Sequence, residues 1–118
     1  MLGKYEDAIK CFDNALELNC QVPKLVYINK GNCLINLEKY KEAILCLNSA
    51  LEIDPYVSHA WHSKGIAYLN LRMLDRALSC FEKTLNIDPM HKEALNNKKE
   101  LLELIEENKE RKIKKSSP

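Results

Sequence analysis

Five cysteines and a close pair of histidines are the side chains here that could hold a metal or run redox chemistry. His59 and His62 stand three residues apart and would share one turn of a helix. Two imidazoles are too few for a zinc site, and no carboxylate or third histidine stands at a matching place in the chain. They read as exposed surface histidines. Cys11, Cys46 and Cys80 recur at a near-constant interval, whereas Cys20 and Cys33 do not, and no CxxC pair occurs. Equivalent sites on stacked helices lie at least ~8–10 Å apart. One zinc holds its thiolates at about 2.3 Å each, and a disulfide needs Cα atoms within ~7 Å. The periodic cysteines therefore read as small apolar residues beside a helix seam. An odd cysteine count, with no apolar signal-peptide core in MLGKYEDAIK, points to reduced thiols and a cytoplasmic location. No Ser/His/Asp arrangement, phosphate-binding glycine loop or GxGxxG is present, and Gly3, Gly31 and Gly65 are all the glycines there are. The expectation is a chain that is no enzyme and needs no cofactor or metal.

The elements that must position these residues follow from a repeat of 34 or 35 residues. LGKYEDAIKCFDNALELN from Leu2, LEKYKEAILCLNSALEIDP from Leu37 and LRMLDRALSCFEKTLNIDP from Leu71 align. Tyr5, Tyr40 and Leu74 fall in register, as do Ala8, Ala43 and Ala77, then Phe12, Leu47 and Phe81. Such a period marks an array in which each unit buries its apolar face on its neighbours. Each repeat carries two helical patterns. Tyr27, Gly31, Leu34 and Leu37 form one stripe of a 3.6-residue helix, copied by Trp61, Gly65, Tyr68 and Leu71. The second helices, Tyr40–Ile53 and Leu74–Ile87, carry Ala43, Leu47, Ala50, Leu51 and Ala77, Phe81, Leu85, and stop before Pro55 and Pro89. Glycine inside a helix costs about 1 kcal/mol against alanine, so Gly31 and Gly65 predict a close approach by a neighbouring backbone.

The two ends differ. Leu95, Leu102 and Ile105 stand 34 residues after Trp61, Tyr68 and Leu71, but Lys99 takes the glycine's place. This segment reads as a capping helix with a charged outer side. Residues 1–22 read as the second helix of an incomplete repeat, with Ile9, Phe12, Leu16 and Leu18 short of a partner. Either the chain is a piece of a longer protein, or a second copy covers that face in a homodimer. The expected layout is therefore 1–22, complete repeats at 23–57 and 58–91, a capping helix at 92–112 and a disordered tail at 113–118.

These residues resemble the tetratricopeptide repeat (TPR) family, whose pattern joins a Trp/Leu/Gly/Tyr helix to an Ala/Phe/Ala/Pro helix. Ala60–Pro89 matches nearly throughout, with Thr84 where Ala is usual. The second unit has Tyr27 for Trp and Leu34 for Tyr; the first has Cys20 where proline is expected. The resemblance implies an all-α fold, a right-handed superhelix of antiparallel helix pairs (an α-solenoid), with the first helices lining a groove. It also implies non-catalytic binding of a protein or peptide segment, as an adaptor or scaffold. The alternative is a C-terminal cap of a longer superhelix with a mainly structural or self-association role.

Subtracting the packing stripes leaves Ile28, Asn29, Asn32, Ile35 and Asn36 on one first helix, and His59, His62, Ser63, Ile66, Leu69 and Asn70 on the other. These map onto the family's groove-lining places. Amide and hydroxyl groups can pair with an extended peptide backbone, and the aliphatic ones offer apolar contact. Some family members grip a C-terminal carboxylate with a Lys, Asn and Arg clamp spread over three first helices. Here Asn29 or Asn32 fits, but His59, Ser63 or Ile28 stands where a cation is needed, so the clamp fails in both registers. A formal net charge of +1 gives no electrostatic case for nucleic acid, and no apolar run suits a membrane. The basic run Lys109 to Lys115 reads as a solvated helix end.

Overall fold

The computed structural model describes residues 2–18 and 22–116; Cys20 lies outside them. Among the described residues the fold is all-α, with six helices. They are α1 (Leu2–Glu17), α2 (Pro23–Asn36), α3 (Tyr40–Ile53), α4 (Ser58–Asn70), α5 (Leu74–Ile87) and α6 (Lys92–Ser116). α2 packs on α3 and α4 on α5, while α1 lies against α2, α3 against α4 and α5 against α6. Stacking along one direction gives an elongated solenoid of 62 × 30 × 22 Å.

The chain reverses after α2 and α4 by one device. Lys39 N–H donates to the Leu34 carbonyl at 2.8 Å and Glu38 N–H to Ile35 at 2.9 Å; Met73 and Arg72 repeat this on Tyr68 and Leu69 at 3.0 Å each. This closure needs a left-handed residue, supplied by Glu38 (φ 61°) and Arg72 (φ 62°). Neither is glycine, so each carries a Cβ penalty of about 1–2 kcal/mol. α3 and α5 end at Asp54 and Asp88, whose Oδ1 atoms accept from the Tyr56 N–H (3.0 Å) and the Met90 N–H (3.2 Å). Asp54 also accepts from Lys24 at 3.0 Å. The Tyr56 N–H first, and Lys24 second, hold its carboxyl below the usual range.

The core lies at the seams. Ile28, Leu47, Ala50, Leu51 and Ala60 form one buried cluster, with Tyr27, Ile35, Val57 and Trp61 against it. Ala77, Phe81 and Leu101 form another, joined by Ile66, Tyr68, Leu69 and Ile105. The helical glycines explain the fit, with a correction to the expected contact. A Cβ on Gly31 would sit 2.9 Å from Leu47 Cγ, and one on Gly65 2.6 Å from Phe81 Cε1. The nearest atoms belong to buried side chains of the paired second helix, and backbone (the Ala43 carbonyl, 3.4 Å from that Gly31 Cβ) comes behind them.

α6 differs from expectation in two respects. It runs through Ser116, past residue 112 and into the expected tail, because Lys, Arg and Glu favour helix and no proline intervenes before Pro118. Ser117 and Pro118 lie outside the described residues. Its packed face is Ala94 and Leu101, both buried, while Leu95 and Leu102 are about half exposed, so its outer side is not purely charged. Those leucines hold the register of Trp61 and Tyr68, which need a following second helix to cover them.

Gly65→Ala should lower the melting temperature, because overpacking costs about 1–3 kcal/mol against a helix-propensity gain of about 1 kcal/mol. The loss should exceed that of Gly31→Ala. Phe81→Leu should be less harmful in the Gly65→Ala background than alone, as a double-mutant thermal denaturation cycle would read. Additive losses would refute the glycine contact.

Candidate functional site

The first helices α2, α4 and α6 present side chains that span from repeat to repeat. Asn32 Nδ2 donates to His59 Nε2 at 3.2 Å, linking α2 to α4. His62 Nε2 lies 2.8 Å from Asn97 Oδ1, linking α4 to α6; the amide oxygen can only accept, which puts a proton on Nε2. His62 also lies 3.9 Å from a Glu93 carboxylate oxygen, and its ring centroid is 4.8 Å from that of His91 and 5.8 Å from that of Phe81. The N-terminus of α6 is held in turn by His91 Nδ1, which accepts the Ala94 N–H at 3.1 Å.

The structure divides the eleven expected surface residues. Asn29, Asn36, His59 and Asn70 are exposed, and Asn32, Ile35, Ile66 and Leu69 are partly buried. Asn36 and Asn70 each give one amide hydrogen to their own helix, on the Asn32 and Ile66 carbonyls at 2.9 Å. Three residues need correction. Ile28 is buried in the core between α2, α3 and α4, and His62 and Ser63 are buried as well. Their side chains are covered, because a first helix is packed on more sides than one stripe covers. His62 is thus no exposed histidine, and sequence reasoning missed that His91 comes beside it. The repeat register pairs Glu93 with His59, which corrects the expectation that no carboxylate stands at a matching place, but it pairs His91 with Val57 and so gave no signal of the His62–His91 contact.

No group of three His, Cys, Asp or Glu side chains among the described residues is arranged to hold a metal. Cys11 is exposed, which corrects its place at a seam, whereas Cys80 is buried and its thiol is pushed up by that burial. No helix among the described residues is long and apolar enough to cross a membrane.

Tetratricopeptide-repeat models match residues 2–19, 25–56 and 58–91. The chain belongs to the tetratricopeptide-repeat family. Solved TPR domains share its fold. The first TPR of Spaghetti (RPAP3), bound to the HSP90 peptide SRMEEVD, is 23% identical with a TM-score of 0.82, over 87% of this chain and 81% of that one. The second TPR domain of human RPAP3, in complex with the HSP70 peptide SGPTIEEVD, is 28% identical with a TM-score of 0.77, over 84% and 82%. The Arabidopsis OM64 TPR domain is 23% identical with a TM-score of 0.81, over 86% and 83%. A search of curated proteins finds no match in sequence. In this TPR array the family's Gly and Phe places, Gly65 and Phe81, are the contact that sets how α4 lies on α5.

Burial of His62 predicts a pH-dependent stability. Burial first, with His91 and His59 adding to it, pulls its pKa below the ordinary histidine value, against opposing effects of Asn97 and Glu93. With the folded value lowered, the unfolded chain binds the proton first, so stability falls as pH drops below ~6.5. His62→Gln should flatten this part of the stability–pH curve in urea denaturation between about pH 7 and pH 5. An unchanged slope would place the dependence elsewhere.

Proposed function

We propose that this TPR module binds an extended peptide segment along the groove-lining face of α2, α4 and α6, as an adaptor between proteins. The observation that carries this reading is the bridged face itself. Asn32–His59 and His62–Asn97 tie three successive first helices into one surface. Asn29, His59 and the exposed Leu25 stand outward beside those bridges. Preformed donors and acceptors on a rigid frame reduce the ordering cost of binding. Peptide complexes of the structurally similar RPAP3 domains support this use of the fold.

The segment recognised is internal to its parent chain, not a free C-terminus. A carboxylate clamp needs a cation at the place of Ile28, which is buried, in one register, and cations at those of His59 and Ser63 in the other. Thirty-four residues beyond His59 and Ser63, α6 offers Glu93 and Asn97, so the third helix brings an acid. An unpaired carboxylate would be repelled there.

Screening a peptide array and then measuring hits by calorimetry tests this. Asn29→Ala, Asn32→Ala and His59→Ala together should weaken a hit by tenfold or more, on the order of 1.4 kcal/mol, while the melting temperature falls by no more than a few degrees, as suits the loss of one exposed hydrogen bond. Amidating the C-terminus of the hit should change its affinity by less than about twofold. A large loss on amidation would instead indicate a clamp.

A second reading, self-association through α1, rests on one observation. Phe12 is only partly buried, although Leu47 and Phe81 at the same register are fully buried. Light scattering on the full chain should then show a dimer that Phe12→Lys converts to monomer. A monomer at all concentrations would sink this reading.

A further inference from the structure

A different surface, the seam where α4 lies on α5, carries three cations with no acid among them. Lys64, Arg76 and Lys83 line an open notch of about 260 Å³ with Trp61, Tyr68, Ser79 and Cys80. Lys83 Nζ lies 4.2 Å from the Trp61 ring centroid, and Lys64 Nζ lies 4.9 Å from it and 5.8 Å from that of Tyr68. The Arg76 guanidinium lies 5.9 Å from the Tyr68 ring. The indole N–H is occupied by the Pro55 carbonyl at 2.8 Å, so the ring is pinned with its faces toward the cations. Asp75 and Glu82 are on the same helix, yet neither lines the notch nor pairs with these cations.

The repeat shows that this charge is not a by-product of the scaffold. One repeat earlier, Lys30 pairs with Asp13 and has Glu42 nearby. For Lys64 the corresponding places are Asn48, which is neutral, and Arg76; Lys83 replaces Ser49. The seam has changed from balanced to positive on an unchanged frame. Lys64 is half-buried, and burial first, then Lys83 and Arg76, make its charged form harder to keep. An incoming anion would relieve that.

Spacing decides what kind of anion fits. Trp61 and Tyr68 are seven residues apart on α4, and Arg76 and Lys83 are seven apart on α5, each ~10 Å along a helix. A single phosphate cannot touch both ends. An extended peptide rises about 3.3 Å per residue, so carboxylates two or three residues apart span ~7–10 Å. Beyond Lys83 the track continues into a second notch of about 240 Å³, lined by Pro55, Tyr56, Trp61, Lys83, Asn86 and Ile87. Tyr56 there is 77% exposed and ready to meet an apolar side chain. We propose that the α4/α5 seam binds an acidic protein segment in extended form, with carboxylates two or three residues apart beside an apolar residue. This site is independent of the first-helix face.

Trp61 is the chain's single tryptophan, so its fluorescence reports the notch directly. The probes are blocked peptides Glu-Gly-Glu-Gly-Phe and Gln-Gly-Gln-Gly-Phe, and inorganic phosphate at matched ionic strength. The glutamate peptide should shift the emission saturably and bind several-fold more weakly when salt rises from ~0.05 to ~0.3 M. The glutamine peptide should bind on the order of tenfold more weakly, and so should the glutamate peptide to Arg76→Glu/Lys83→Glu. Both substituted residues are exposed, so an unchanged melting temperature would show that the loss is not unfolding. The Asn29, Asn32, His59 variant should bind as the parent does, which separates this site from the groove. Equal binding of the two peptides, no saturable shift with either, or an unaffected charge-reversed variant would overturn the proposal. Saturation by inorganic phosphate alone would do so too, by showing a simple anion site.

Discussion

One contact sets the rest of this molecule: a second-helix side chain pressed onto a first-helix glycine. Phe81 on Gly65 and Leu47 on Gly31 leave no room for a methyl group. Because both knobs are fully buried, neither helix of a pair can slide or rotate without emptying or crushing the contact. Four residues before and three after the glycine, on the same side of the helix, stand Trp61 and Tyr68, and their place at the seam follows from it. Lys99 holds this register in α6, and it is exposed. No knob is pressed there, and Leu95 and Leu102 remain uncovered to match.

Fixing each pair leaves the relation between pairs to be set by other contacts, and polar ones take part. His62 is buried where a core would ordinarily hold an aliphatic group, as Ile28 does one repeat earlier. A buried imidazole is tolerated when hydrogen-bonded, and Asn97 supplies the partner from the next repeat. An Asn–His bond has far stricter geometry than an aliphatic contact. It therefore holds α6 on α4 in one orientation, which apolar packing alone does less sharply.

Helix number, order and pairing were legible in the sequence because a repeat states the same instruction several times. The glycine contact was legible for the same reason, although a side chain and not backbone makes the closest approach. Ile28, His62 and Ser63 were not legible as buried, because one apolar stripe per helix suits a helix lying on a single neighbour. A first helix in this array touches its own second helix, the preceding one and adjacent first helices, so its buried arc is wider. Two further registers recorded this. Val26, Ala60 and Ala94, and then Cys33, Ala67 and Leu101, recur every 34 residues, and all but Cys33 are buried. Exposed positions such as Asn29 and His59 carry no such constraint, which is why the sequence bounded the candidate surface without naming its ligand.

The same contrast makes the seam charges informative. Most registers consumed by packing hold one chemistry in both full repeats, as with Gly31 and Gly65 or Ala43 and Ala77; Ile28 and His62 are the exception, and there Asn97 supplies the polar partner. Even Ala50 and Thr84 conform, because the buried Thr84 hydroxyl returns its hydrogen to the Cys80 carbonyl at 2.9 Å. Changes there cost roughly 2–5 kcal/mol. Exposed seam positions cost a fraction of that, with typical surface ion pairs contributing about 0–1 kcal/mol. Stability therefore gives no reason for Glu42 to become Arg76, Ser49 to become Lys83 and Asp13 to become Asn48. Three exchanges that each move the charge in the same direction, around one pinned tryptophan, create self-repulsion at the seam. Folding leaves that repulsion in place, and an anion brought from outside would relieve it.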